Sequence, residues 1–215
     1  MANQKLICWS GLLLMLGGIG LAVHYITHPP GETAQYVAYP LWGFSHWLGG
    51  IAMLLCLLGL VGLFARQSEK VGALGLAGFI LAFVGFALGA SANMLGGAVY
   101  QPFIATYAPD WLELNSALNT FSAFRLLAGM ILVLLLGLLL FGIATLRARV
   151  LPRWGAWLVM CALPIGVLAL ALIGTSLQGI LQTLAGVASG LGMVAWGYAL
   201  WSEKSEVVGQ FKPAR

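Results

Sequence analysis

Long apolar stretches alternate with short polar ones along the whole chain. Six of these stretches reach the length of about 20 residues that a helix needs to cross the roughly 30 Å hydrocarbon core of a bilayer. They cover approximately residues 6–26, 41–65, 71–100, 120–146, 154–173 and 178–201. The pattern predicts an all-α, polytopic membrane protein: a six-transmembrane-helix bundle formed by residues 1–205 as one domain, followed by a short cytoplasmic tail at 206–215.

The composition supports a membrane location and argues against nucleic acid as a partner. With 61% hydrophobic and 7% charged residues, the chain lacks the polar surface of a soluble globule of this size. The formal net charge is +4, but the basic residues are scattered at helix ends instead of forming a patch. The lipid bilayer is therefore the expected partner. Tryptophans near helix ends, among them Trp42, Trp47 and Trp111, are typical of interfacial belts.

The distribution of Lys and Arg predicts the orientation. Nine of the ten lie on one side of the predicted bundle, and only Arg125 lies on the other. Short loops rich in these residues stay cytoplasmic, so both termini are expected in the cytoplasm. The first apolar run ends without a small-residue cleavage site, which favours an uncleaved helix over a signal peptide.

All three histidines of the chain, His24, His28 and His46, lie in or beside the segment that joins the first two predicted helices. His24 and His28 are spaced i,i+4 and share one helix face if the helix runs that far. Pro29 and Pro30 then end the helix. The orientation places this histidine-rich segment on the outer side of the membrane.

An outward-facing polar pocket is the main functional prediction. Ionisable residues inside a span are costly and usually face a bundle interior or a wet cavity. Arg125 would meet an anionic group, and His46, with a usual imidazole pKa of about 6.5, would sense protons. Snorkelling of Arg125 and a neutral, hydrogen-bonded His46 are the alternatives. The expected ligand-binding residues lie at similar depth: His24, His46, Asn93, Arg125 and Gln182.

The expected function is binding of a small molecule, for sensing or as an accessory to transport, with no cofactor and no catalytic residues. A membrane redox protein is one alternative, with haem or quinone at His24 and His46, or with zinc or copper at His24, His28 and His46. A structural subunit of a larger complex is the other. No nucleotide-binding or hydrolase motif is present in the sequence, so an enzyme is disfavoured.

The run from His46 to Gly49 and the segments 57–67 and 75–79 resemble a group of bacterial integral membrane proteins of similar length. The resemblance covers mainly the second and third predicted helices, and its motifs are mostly apolar. It implies a multi-helix protein of the bacterial inner membrane. It implies no activity, cofactor or site residue.

Overall fold

The computed structural model describes the backbone of residues 2–113 and 123–210, and the side chains of residues 4–113 and 128–202. In these parts every regular element is a helix. Five helices are long and apolar enough to cross a membrane: Gln4–Thr27, Trp42–Tyr107, Ala128–Ala148, Arg153–Ala171 and Ser176–Ser202. The prediction of an all-α chain is confirmed for the described residues, and the five long apolar helices are consistent with a multi-pass membrane protein.

The described elements follow one another with short connections. In chain order they are α1 (Ala2–Thr27), α2 (Ala34–Val37), α3 (Trp42–Ser91), a π-helix (Ala92–Tyr100), α4 (Gln101–Tyr107), a 3₁₀ helix (Pro109–Leu112), α5 (Ala123–Ala148), α6 (Arg153–Ala171) and α7 (Ser176–Gln210). The segment expected as a loop from residue 101 thus begins with a helix. Pro102 lies in the first turn of α4, directly after the π-helix. The last helix also extends past residue 205, where the tail was expected to begin.

The long helix α3 folds back on itself at Gly72. This glycine has φ +58° and ψ −161°, a conformation essentially reserved for glycine. The Phe64 ring stacks on Phe79 with 4.5 Å between centroids, so the chain on either side of Gly72 is antiparallel. We call residues 42–71 the first arm, and residues 73–91 with the π-helix and α4 the second arm.

The predicted turn at residues 66–70 is instead the helical end of the first arm. Gln67 in this turn is buried, and its Nε2 donates to Thr145 Oγ1 of α5 at 3.0 Å. The charged residues around it identified the region of the reversal. They did not identify the residue at which the chain turns.

The helices pack in a ring. The first arm contacts α1, α1 contacts α7, and α6, α5 and the second arm follow in that order back to the first arm. Glycines bring α1 and α7 close together, since a Cβ at Gly11 would lie only 2.7 Å from the Gly197 carbonyl oxygen. Phe141 and Trp196, with ring centroids 6.0 Å apart, help to fill the interior.

The two ends of the helix bundle differ in chemistry. At one end, Ile7, Arg66, Lys70 and Val150 line a common cavity. The Trp9 and Trp201 rings meet edge to face near this end, so the start of α1 lies beside the last part of α7. We call it the basic end. The antiparallel courses of α1 and the first arm carry the histidines to the opposite end.

Candidate functional site: a histidine cluster

His24, His28 and His46 come together at the end of the bundle opposite the basic end, and we call them the histidine cluster. Their ring centroids are 4.8 Å apart for His28 and His46, 5.3 Å for His24 and His28, and 6.1 Å for His24 and His46. His24 and His46 are 3% and 5% exposed, and His28 is half-buried. Three polar rings are thus gathered at the end of an apolar bundle.

The last turn of α1 presents His24 to the first arm. Its Nδ1 donates to the Ser45 carbonyl oxygen at 2.8 Å and lies 3.0 Å from Ser45 Oγ. Ser45 Oγ in turn donates to the His24 carbonyl oxygen at 3.2 Å. A Cβ at Gly49 would lie 2.7 Å from His24 Nδ1, so only glycine leaves room for this ring. These contacts fix the orientation of His24.

The first turn of the first arm holds His46. Its Nδ1 donates to the Trp42 carbonyl oxygen at 3.0 Å, and the Trp42 ring covers it with 4.2 Å between centroids. Trp42 is only 2% exposed, so its predicted place in an interfacial belt is wrong. A Cβ at Gly97 of the π-helix would overlap the His46 ring. His46 therefore packs between Trp42 and the second arm.

The indole of Trp42 is anchored on the π-helix. Its Nε1 donates to the Gly97 carbonyl oxygen at 2.8 Å. In π-helical pairing this carbonyl would accept from residue 102, but Pro102 has no N–H. The proline thus leaves a main-chain acceptor for the tryptophan beside His46.

His28 follows the end of α1 and closes the cluster. Its Nδ1 donates to the Pro29 carbonyl oxygen at 2.6 Å. Its Nε2 lies 3.3 Å from the Nε2 of His46. The ring of His28 is thus directed toward His46, inside the cluster.

The hydrogen bonds assign the tautomers of all three rings. A carbonyl oxygen only accepts, so each Nδ1 carries the proton in the neutral ring and each Nε2 carries a lone pair. Two lone pairs then face each other between His28 and His46 across 3.3 Å. Such a pair repels unless an electron-pair acceptor, such as a proton or a metal ion, lies between the nitrogens. The arrangement therefore presents two electron-pair donors that face each other.

Of the other predicted residues, Asn93 lies beside the cluster. Its Nδ2 donates to the Gly89 carbonyl oxygen at 3.0 Å. A Cβ at Gly49 would lie 2.9 Å from its Oδ1, which places Asn93 across Gly49 from His24. Asn93 thus adjoins His24 without a direct hydrogen bond between them in the described structure.

The two remaining predicted site residues are Gln182 and Arg125. Gln182 is half-buried on α7, and no described residue is its hydrogen-bond partner. Its neighbour Thr183 instead has its Oγ1 3.1 Å from the Tyr25 carbonyl oxygen of α1. Arg125 belongs to the first turn of α5, but its side chain lies outside the described residues, so its convergence with His46 stays a prediction.

The described residues do not present a complete metal site. Within residues 4–113 and 128–202, no group of three or more His, Cys, Asp or Glu side chains is arranged to hold one ion. Glu32, the nearest acidic residue in sequence, accepts from Gln101 Nε2 at 2.7 Å and so ties the 29–40 segment to α4. His28 and His46 are the only two histidines of the chain in direct contact through their ring nitrogens.

Sequence reasoning missed three residues that position the cluster: Trp42, Ser45 and Gly97. Each acts through a contact between segments far apart in the chain. The one local contact is the Trp42 carbonyl oxygen, which accepts from His46 four residues later. The Gly96-Gly97 pair and the following Pro102 were the signals available, since small residues permit close approach and proline frees an acceptor.

Comparisons with known protein families, curated proteins and solved structures find no match to this chain.

Proposed function

We propose that this chain is a plasma-membrane protein that crosses the bilayer six times, with both termini in the cytoplasm. Five long apolar helices become six crossings when the first and second arms are counted separately. At 1.5 Å per residue, the 30 residues of the first arm exceed the roughly 30 Å core. Arg66 and Lys70 lie at the basic end, and this supports a cytoplasmic location for that end. The histidine cluster then faces outward, and the resemblance noted above favours the inner membrane of a bacterium.

We further propose that the protein binds a small ligand at the histidine cluster, as a sensor or as an accessory to transport. The observation that carries this proposal is the 3.3 Å approach of the two Nε2 atoms of His28 and His46, each with its Nδ1 bound to a carbonyl. Two buried or half-buried bases in contact favour a ligand that accepts electron pairs or donates a proton. Asn93 adds an amide beside His24.

The haem alternative receives less support from the packing. A haem between His24 and His46 needs a slot for its macrocycle between α1 and the first arm. His24 instead lies directly on Gly49 of that arm. A Cβ at Gly20 of α1 would likewise lie 2.8 Å from the Ala52 side chain one turn further along. A visible spectrum of the purified protein tests this alternative, because bound haem gives a Soret band.

The binding proposal is tested by ligand-induced stabilisation of the purified protein, without a polyhistidine tag. The probes are Zn²⁺ and Cu²⁺, which accept electron pairs, and acetate and a short-chain ubiquinone, which accept hydrogen bonds from protonated rings; each is added to wild type and to His46→Asn. Asparagine keeps an N–H donor in the place of Nδ1 but removes Nε2, so the bond to the Trp42 carbonyl can persist. We expect at least one probe to raise the Tm of wild type and to lose its effect in the variant.

Cys161→Ser is the matched control, because this exposed cysteine is the most accessible thiol among the described residues. It should respond to the probes as wild type does. If no probe raises the Tm, or if His46→Asn responds as wild type does, the binding proposal is wrong. The structural-subunit alternative predicts the first of these outcomes, because it holds no ligand at the cluster.

A further inference from the structure

The geometry of the histidine cluster indicates which chemical class of ligand it binds; this inference rests on the binding function proposed above. We propose that His28 and His46 bind a divalent transition-metal ion of the zinc type between their Nε2 atoms, with His24 beside them. The chemistry is that of a borderline Lewis acid, for which neutral imidazole is a preferred ligand.

The separation of the two nitrogens fits a shared metal ion. Zinc–nitrogen bonds of 2.0–2.1 Å at a tetrahedral angle place two ligand nitrogens about 3.3–3.4 Å apart. The Nε2 atoms of His28 and His46 are 3.3 Å apart.

The ring positions extend the argument to His24. Adding the distance from a nitrogen to the ring centre, two imidazoles on one tetrahedral zinc have centroids about 5.2 Å apart. The His28–His46 and His24–His28 separations, 4.8 Å and 5.3 Å, lie close to this value. The His24–His46 separation of 6.1 Å requires the His24 ring to approach by about 1 Å. Two ligands are therefore in place, and His24 does not complete a three-histidine group in the described structure.

The hydrogen bonds around the three imidazole rings are also those of a metal site. Histidines that bind metals nearly always donate their second ring N–H to a carbonyl or carboxylate, which fixes the tautomer and makes the ligand more basic. All three rings do so here, through the carbonyl oxygens of Ser45, Pro29 and Trp42. Three neutral rings with free Nε2 atoms are the protonation state that a metal ion requires.

The aromatic face of Trp42 also favours a positive charge at this site. Its ring centroid lies 4.2 Å from that of His46 and 5.5 Å from that of His28. The negative face of an indole favours positive charge nearby, and more so when the site is desolvated. An ion between the two histidines would thus be held at a site that water does not fill freely, with its fourth position left for water or an external ligand.

The inference is tested by metal titration of the tag-free protein. We expect one Zn²⁺ per chain in an equilibrium titration, and Co²⁺ in the same site should show the intense visible absorption of tetrahedral cobalt. His28→Asn and His46→Asn keep the Nδ1-type donor and remove one ligand each. Each should weaken binding on the order of 100-fold or more, the upper end of what outer-shell changes cost. His24→Asn should weaken it less.

Controls separate the metal site from other binding. Cys161→Ser should leave the stoichiometry and affinity unchanged, and X-ray absorption of the zinc complex should show nitrogen and oxygen neighbours without sulfur. Absence of saturable binding, or a metal affinity of His28→Asn and His46→Asn equal to that of wild type, overturns the metal assignment. If acetate or the quinone stabilises the protein while metals do not, the metal assignment fails and the broader binding function stands. If no probe acts, both fail.

Discussion

At the scale of single residues, two prolines shape the histidine end by removing main-chain donors. Pro102 leaves the Gly97 carbonyl to the Trp42 indole, and Pro29 leaves the Tyr25 carbonyl within 3.1 Å of the Thr183 hydroxyl, which also lies 2.9 Å from the Gly179 carbonyl of its own helix. Both side chains come from another segment, so each proline leaves an acceptor for a contact between helices. Buried carbonyls without a partner would cost about 1–3 kcal/mol each. The prolines therefore position the site as well as ending or interrupting helices.

Gly97→Ala should damage the site, whereas Gly96→Ala should not. A Cβ at Gly97 overlaps the His46 ring, while one at Gly96 meets nothing within 4 Å. Forced repacking costs about 1–3 kcal/mol, so we expect Gly97→Ala to lower the free energy of unfolding by that amount and to displace His46 from His28. Thermal unfolding of both variants in detergent checks this. Equal stability of the two would show that His46 does not pack on Gly97.

Sequence reasoning at this scale identified the chemical groups better than their partners. The three histidines were recognisable because charged or titratable groups are rare in the apolar stretches, and Asn93 was recognised at matching depth. The inward direction of His28 was not predictable, because it depends on how the chain turns after Thr27. Trp42 was assigned to the membrane interface because its burial depends on the second arm, 55 residues away along the chain.

At the scale of elements, the hairpin of the two arms brings His46 to Gly97. The chain reverses at Gly72, and the antiparallel arms then place Met53 against Gly89 and Met94 against Gly50. The π-helix Ala92–Tyr100 follows at the histidine end, where π-helical segments often accompany functional sites. Both irregularities are local in sequence, and both determine which side chains meet.

Gly72→Ala should destabilise the hairpin. The backbone at Gly72 lies in a region that a Cβ makes costly by about 1–3 kcal/mol, although nothing else occupies the space around it. Gly43→Ala in the same helix is the control, because its added Cβ also meets nothing within 4 Å and its backbone is helical. Equilibrium unfolding in mixed micelles should show a loss for Gly72→Ala only. A similar effect of both changes would contradict a reversal at Gly72.

The apolar runs predicted the long helices of the described residues well, because a long stretch without charge has few other structures open to it. The reversal was harder to locate. The charged residues 66–70 are typical of a turn, yet they form the end of the first arm, and Gln67 is buried against Thr145. Helical structure beyond residue 101 was also missed, since prolines at 102 and 109 suggested a loop.

At the scale of the whole molecule, the ring is closed by a contact between the first and last helices. Gly18 and Gly190, like Gly11 and Gly197, let the α1 and α7 backbones approach. No local pattern predicts which helices pair across the whole chain, so this closure was not predictable. The separation of basic and histidine-bearing ends was predictable, because it follows from counting charges by side.

Cysteine labelling tests the proposed orientation. In a Cys161→Ser background, Gln35→Cys of α2 and Ser68→Cys of the basic end introduce thiols at exposed positions on opposite ends. A membrane-impermeant maleimide should label Gln35→Cys in intact spheroplasts and Ser68→Cys only after permeabilisation. The reverse pattern would place the histidine cluster in the cytoplasm, and labelling of both in intact spheroplasts would contradict a spanning topology.

The contact between His28 and His46 is tested most directly by nitrogen NMR of the metal-free protein labelled with ¹⁵N in its histidines. The sample is kept well above the usual histidine pKa of about 6.5, so that the rings are neutral. We expect all three histidines to be protonated at Nδ1, with the Nε2 signals of His28 and His46 in the range of an unprotonated nitrogen. Added Zn²⁺ should shift these two signals together. Protonation of His28 or His46 at Nε2 in the neutral protein would contradict the facing lone pairs on which the site depends.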